Sequence, residues 1–466
     1  MVVRGRWALL FTLVLLQAFT IGAATYVWST GLTVAGGRAT AAAVPSPSPS
    51  RVPVPLITAE PVLSAEPGGA VPAKKELAAR LSGVLSGAAL GGNVGAMVMD
   101  AATGATLFSS RSTAALTPAS TTKIVTGVAA LAALGPDARL ATRVVTGRTK
   151  DTIILVGGGD PTLAGPKAAD RGYPRPASLA ALASRTAKAL KASGATKVTL
   201  AYDDSLFSGP RTAQGWKPNY VPEGTVAPVT ALMHDVGRVD PRARERWPHP
   251  SRATAVAFAS LLRRQGITVA SSVREAKASA SAQDVAQVES PPVYQLVERM
   301  LTESDNDLAE ALAHHVAIKQ GLPGTFAGGA RATMRVLAEL GVDKGVRVYD
   351  GSGLSTANRI TPQALSRLLA LAASPEQPGL HTAISGLPVA GFTGTLDDRY
   401  ANAGSAAGAG LVRAKTGSLS GVNTLAGITR TAEGRMITFA FMADRVPAPD
   451  PAIAALDRLA TIVSRS

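Results

Sequence analysis

Three short runs carry residue types able to do acyl-transfer chemistry. In PASTTK (118–123), Ser120 and Lys123 stand at i and i+3, so on a helix they share one face. A serine hydroxyl is a poor nucleophile until a base takes its proton, and a neighbouring lysine amine can do that when its pKa falls. If Ser120 begins the helix, the backbone N–H groups there favour developing negative charge. The plainer alternative is a helix cap beside a solvated lysine. Ser304-Asp305-Asn306 is the second run. In an extended loop Ser304 and Asn306 would face one way and Asp305 the other; a simple N-cap is the alternative. The third run is Lys415-Thr416-Gly417-Ser418. A lysine among hydroxyls on a strand edge can hold a carboxylate, and the glycine lets a substrate approach the backbone. The alternative is a turn between strands.

Elements must position these groups. After PASTTK, Ile124, Val125, Val128, Leu131 and Leu134 recur at helical spacing, and Gly135-Pro136 stops the run. Ser-Asp-Asn falls between the helical runs YQLVERML and LAEALAHHVAIKQG; ATMRVLAELG and PQALSRLLALAAS follow with the same period. Lys415 lies in GLVRAKTG, which with NTLAGITR and MITFAFMAD reads as an antiparallel sheet, and AALDRLATIVSR as a closing helix. NVGAMVMD and ATLFSSR flank AATG as a hairpin. The middle differs: RVVTG, TIILVGGG, TKVTLAYDD and GITV read as strands, SLAALASRTAKALKASG and ATAVAFASLLRRQG as helices, an α+β region of one domain's size.

Ser-x-x-Lys, Ser-Asp-Asn and Lys-Thr-Gly, in that order, form the motif set of penicillin-binding proteins and serine β-lactamases. From about residue 76 onward the chain resembles the D-alanyl-D-alanine carboxypeptidase/endopeptidase family, the class C low-molecular-mass penicillin-binding proteins of peptidase S13 type. VGGGDPTL (156–163), DDSLFSG (203–209), DGSGLS (350–355) and LPVAGFTGTLDDR (387–399) add to the likeness. Lys123 and Ser304 are 304 − 123 = 181 positions apart, more than in a compact β-lactamase, and this family carries extra domains inserted there. The resemblance implies an α/β (α+β) fold. Its catalytic transpeptidase-like domain would comprise 76–140 and 291–466, an antiparallel sheet flanked by helices, with one or two accessory α+β domains inserted over 141–290.

The resemblance also implies roles. Ser120 would attack the carbonyl of the D-Ala-D-Ala bond, Lys123 would accept its proton, and Ser304 would relay that proton to the leaving amine. Asn306 would orient the substrate amide and Lys123. Lys415 would supply positive potential, and Thr416 and Ser418 would bind the terminal carboxylate beside Gly417. The N–H groups of Ser120 and Ser418 would form the oxyanion hole. Implied partners are peptidoglycan peptides ending in D-Ala-D-Ala and β-lactam antibiotics; no cofactor or metal is implied. Endopeptidase activity on cross-links is expected besides carboxypeptidase activity. A serine β-lactamase or a catalytically weak, cationic wall-binding protein are the rival readings. The Glu-x-x-Leu-Asn signature of class A deacylation is missing.

Composition fits this picture. Lys and Arg give a formal net charge of +15 but are scattered, and no nucleic-acid motif accompanies them. The absence of cysteine rules out disulfides and thiolate metal sites. Arg4 and Arg6 precede WALLFTLVLLQAFTIGAATYVW. That length favours a membrane anchor over a cleaved signal peptide within 1–30, with the body outside the cytoplasm, in the cell envelope. The Ala/Pro/Ser-rich stretch within 31–75 reads as an extended linker. Gly157-Gly158-Gly159-Asp160 lacks the Lys-Ser/Thr of a P-loop and reads as a turn, His314-His315 as structural, and Tyr400-Ala401-Asn402 as a loop near the sheet.

Overall fold

The computed structural model describes residues 69–167 and 173–466. The expected anchor over 1–30 and most of the 31–75 linker lie outside the described residues. Among the described residues no helix is long and apolar enough to cross a membrane.

The chain opens with α1 (Lys74–Leu85), β1 (Asn93–Asp100), β2 (Thr106–Ser110) and α2 (Thr122–Leu134). A middle region follows: β3 (Ala141–Thr146), β4 (Thr152–Val156), α3 (Leu179–Ala192), β5 (Lys197–Asp203), α4 (Pro250–Arg264), β6 (Thr268–Val269), β7 (Arg274–Glu275) and β8 (Asp284–Glu289). The last part contains α5 (Val293–Thr302), α6 (Asn306–Lys319), α7 (Phe326–Glu339), β9 (Val346–Arg347), β10 (Arg359–Ile360), α8 (Pro362–Ala373) and α9 (Thr382–Ser385). It closes with β11 (Val412–Leu419), β12 (Val422–Arg430), β13 (Met436–Asp444) and α10 (Pro449–Ser464).

Five strands form one antiparallel sheet in the order β11-β12-β13-β1-β2. Successive side chains point to opposite faces, and here both faces are covered. Along β13, Ile437, Phe439, Phe441 and Ala443 pack with Leu77, Leu81, Leu456 and Leu459 of α1 and α10. The intervening Ala440 and Met442 pack with Ile124, Val128, Leu365 and Leu368 of α2 and α8. This double burial explains why β12 and β13 read as nearly continuous apolar runs. Every residue of α2 from Thr122 to Leu131 is buried, as its all-round apolar sequence demands. A Cβ on Gly127 would lie 3.2 Å from Val297 and 3.4 Å from Met300, so glycine lets α5 approach closely. A helix enclosed on every side over its first ten residues is a rigid mount for whatever its first turn carries.

The middle region builds a second, mixed sheet in the order β6-β5-β4-β3-β8, with β7 also on β5. β3 pairs antiparallel with β4 and β8; β5 runs parallel to β4, β6 and β7. The parallel pairs arise because α3 and α4 serve as crossovers. Their apolar faces cover the sheet through Leu182, Leu190, Phe258 and Leu262. Between β5 and α4 the long stretch 204–249 contains only a 3-10 turn at Asp235–Gly237 and an isolated bridge. That irregular stretch reaches the site described next.

Candidate active site

Ser120 sits in a 3-10 turn, Ala119–Thr121, that runs directly into α2. The chain turns there on Ala119, whose φ of 49° is left-handed for a residue with a side chain. Neighbours hold this conformation. Thr121 Oγ1 donates to Pro118 O at 2.6 Å and Thr122 Oγ1 to Ala119 O at 2.8 Å. From the sheet, Thr424 Oγ1 donates to Pro118 O at 2.8 Å. A Cβ on Gly417 would come within 2.7 Å of Pro118 O and 3.1 Å of Ser120 N. The glycine of the third run is therefore needed for close approach of β11 to the serine turn.

The i, i+3 spacing does bring the pair together: Lys123 Nζ donates to Ser120 Oγ at 3.1 Å. It also donates to Asn306 Oδ1 at 2.7 Å and to Ser352 O at 2.8 Å. Three acceptors fix the ammonium in a fully buried position. Burial pushes its pKa down to about 8, against the pull of Glu310, Asp350, Asp305 and Asp307. Lys415 is fully buried too, and burial lowers its pKa well below the usual lysine value, with Lys123 and Arg399 adding to the effect. Ser120 itself stays partly exposed, so solvent or substrate can reach the hydroxyl while the amine behind it stays dry.

The second run departs from the extended-loop expectation. Ser304 has a φ of 56° and Asn306 already begins α6, so the two do not project together as alternate residues of a strand. Asp305 points elsewhere, as expected, but for a helical reason. Its Oδ1 accepts from Leu308 N at 3.0 Å as the N-cap, and its Oδ2 accepts from Arg299. Asn306 bridges two parts of the molecule, taking Lys123 on its carbonyl oxygen and giving Nδ2 to Thr225 O at 2.9 Å. Among the described residues no hydrogen bond joins Ser304 to Ser120 or Lys123.

Lys415, Thr416, Gly417 and Ser418 lie on β11, an outer strand of the first sheet. Residues 388–390 cover its free edge as far as Ala414, through Ala390 N to Val412 O and Ala414 N to Pro388 O. Among the described residues no further backbone hydrogen bond covers that edge from Lys415 to Leu419. An open strand edge beside a serine is where an extended peptide can add. Thr416 Oγ1 lies 2.9 Å from Thr395 Oγ1, Ser418 Oγ accepts from Asn423 Nδ2 at 3.1 Å, and Lys415 Nζ donates to Thr416 O at 3.0 Å.

Several residues at the site had no assigned part in the sequence reading. The DGSGLS stretch, noted there only as a likeness, supplies the Ser352 carbonyl. Asp350 organises that loop, accepting from Gly353 N, Ser355 N, Asn358 Nδ2 and Trp216 Nε1 at 2.6–3.0 Å. Glu310 grips Gly351 N at 2.9 Å and Ser352 N at 2.8 Å. Its i+4 spacing from Asn306 was the available signal. Thr225, Trp216 and Arg246 lie in irregular chain, and nothing in the sequence marks them. Features set aside in the sequence stay apart from Ser120. Gly157-Gly158-Gly159-Asp160 is non-regular chain packed on Ala231, Ala141 and His315. His314 is buried and His315 largely so, and loss of solvent pushes both down to about 4. Tyr400 is buried in the core between the sheet and α10.

An antiparallel sheet covered by helices, with the serine and lysine on the first turn of a buried helix, defines the class: the fold is that of the penicillin-binding proteins. In a solved structure of penicillin binding protein 4 (dacB) from Haemophilus influenzae it recurs with a TM-score of 0.68 at 22% identity, covering 83% of this chain and 99% of that one. The sequence matches the D-Ala-D-Ala carboxypeptidase 3 (S13) family over residues 77–249 and 245–463, and the chain belongs to that family. It is 38% identical to a carboxypeptidase of Mycobacterium tuberculosis over 362 residues, 76% of each chain. To the carboxypeptidase DacB of Mycolicibacterium smegmatis it is 36% identical over 417 residues, 88% of each.

Proposed function

We propose that this protein removes the terminal D-alanine from peptidoglycan stem peptides ending in D-Ala-D-Ala, through an acyl-enzyme on Ser120. The observation that carries this reading is the buried Lys123 amine hydrogen-bonded to Ser120 Oγ. Lys123 in its neutral form takes the serine proton as Oγ bonds to the penultimate D-Ala carbonyl carbon. The oxyanion is met by Ser120 N–H and Ser418 N–H; losing one such donor typically costs ~2.7–4 kcal/mol in the barrier. Ser304 passes the proton to the departing amine as the C–N bond breaks, and water then releases the acyl group. Asn306 orients the substrate amide and Lys123. Lys415 supplies positive potential, and Thr416 and Ser418 hold the terminal carboxylate along the open edge of β11, beside Gly417. The same serine opens the β-lactam ring of penicillin, and cross-links ending in a D-Ala–diamino acid bond are cut by the same steps.

The substrate places the working body outside the cytoplasm, in the cell envelope. We assign 1–30 to a membrane anchor or signal peptide, 31–75 to the linker, 76–140 and 291–466 to the catalytic domain and 141–290 to the inserted accessory region. The deciding experiment incubates the protein with a muropeptide carrying D-Ala-D-Ala and detects released D-alanine by mass. Wild type should release it and Ser120→Ala should not; equal release by both would overturn the reading. Rapid, repeated turnover of penicillin in place of a persistent adduct would favour a β-lactamase.

A further inference from the structure

We propose that Glu310 is a positioning residue for Lys123: it fixes the carbonyl that aims the amine, and its carboxyl governs when that amine is free of its proton. The inference rests on Lys123 being the base. Glu310 lies on α6, one turn after Asn306, and is fully buried. Its two carboxyl oxygens take one backbone N–H each, Gly351 on Oε2 and Ser352 on Oε1. The carbonyl of that same Ser352 accepts from Lys123 Nζ at 2.8 Å. One residue thus separates the carboxyl from the amine, and α6 contacts Lys123 twice, directly through Asn306 and indirectly through Glu310.

Charge follows the same path. Glu310 is the foremost group holding the proton on Lys123, ahead of Asp350, Asp305 and Asp307; the Lys123 charge in turn bears on Lys415. Glu310 faces Asp350, and burial followed by that carboxylate pushes it up to about 8, although Ser352 and Gly351 pull it down. The carboxyl thus reaches the amine by charge as well as through the Ser352 peptide. When Glu310 ionises first, the proton stays on Lys123 and the base is blocked. When the proton rests on Glu310, Lys123 is free to act. An ordinary structural carboxylate would hold the loop without affecting the amine's titration.

The test measures acylation by labelled penicillin against pH in wild type, Glu310→Gln, Glu310→Asp and Lys123→Met. In Glu310→Gln the acid limb should move down by about one pH unit, since a unit of pKa is tenfold in free amine. Its plateau should also fall, because the amide NH2 cannot accept the second N–H. Glu310→Asp should keep the limb near wild type while lowering the plateau. An unmoved limb in a folded Glu310→Gln overturns the role of Glu310 alone. Lys123→Met acylating at the wild-type rate would remove the base assignment, and this inference with it. Should Glu310→Gln not fold, wild type labelled with carboxyl-13C glutamate and 13Cε lysine decides. A glutamate carboxyl titrating alongside the Lys123 signal supports the pair; none titrating above about 6, where ordinary glutamates near ~4.3 are long ionised, overturns it.

Discussion

Gly353→Ala tests whether the loop 350–355 truly supports the serine turn. Gly353 has a φ of +87°, a conformation that a side chain resists at ~1–2 kcal/mol. A Cβ built there would lie 2.5 Å from the Ala119 carbonyl carbon, closer still to its oxygen, and 2.8 Å from Thr122 Oγ1. Side-chain β-carbons essentially never come nearer than 3.0 Å to such atoms. The Ala119 peptide or the loop must therefore shift by at least 3.0 − 2.5 = 0.5 Å, and further to clear the oxygen. Either shift reaches the chemistry. Ala119 is joined to Ser120, and Gly353 is joined to Ser352, whose carbonyl aims Lys123. A misplacement of ~1 Å can cost on the order of 100-fold in rate, so a loss of about 10- to 100-fold is expected. Stopped-flow acylation by a fluorescent penicillin gives the second-order constant, and a thermal melt confirms that the variant is folded. A folded Gly353→Ala that acylates within about threefold of wild type would refute the coupling of this loop to the serine.

Two further outcomes follow from the same geometry. Lys123, lowered to about 8, must be neutral to accept a proton, so acylation should rise with pH, by about tenfold from pH 7 to a plateau above 8; a rate flat from pH 6 to 9 contradicts it. Arg246→Met should destabilise the fold by ~3–5 kcal/mol in urea melts, because Asp307 loses its only ion-pair partner among the described residues while remaining buried. A melt within 1 kcal/mol of wild type, on the order of an exposed pair, would show that this ion pair is not holding α6.

Much of the architecture was legible because burial imposes periodicity. The apolar spacing after PASTTK marks α2, and the apolar runs separated by turns mark β12 and β13, whose side chains fill both faces of the sheet. The family was legible because the residue types and order of the three runs are specific together. What escaped the sequence has no period. Parallel pairing in the second sheet depends on which strands α3 and α4 return to, which local composition does not encode. The backbone at Ser304 is left-handed just before Asp305, which caps α6, so Ser304 and Asn306 do not alternate as residues of a strand. Glu310 reads as one more acidic residue in a helix until Gly351 and Ser352 arrive from 41 and 42 positions away.

The irregular stretch 204–249 does more than join β5 to α4. Part of its packing is apolar, as where Trp216 meets Phe326 and Tyr220 packs with Leu354. Its contacts with Asn306, Asp307 and the loop 350–356 are specific and polar. Thr225 O holds the Asn306 amide, and Ala227 N and Arg246 hold both oxygens of Asp307, the next residue. Trp216 Nε1 holds Asp350, and Gly215 O takes the Thr356 hydroxyl from the same loop. Where the group held is buried, as the carboxylates of Asp307 and Asp350 are, losing a partner leaves it unmatched, at ~1–3 kcal/mol apiece. Glu310 of α6 holds the Ser352 peptide, Trp216 and Gly215 of the stretch 204–249 hold the same loop, and Thr225 of that stretch holds Asn306, so both of the other acceptors of the Lys123 amine lean on it.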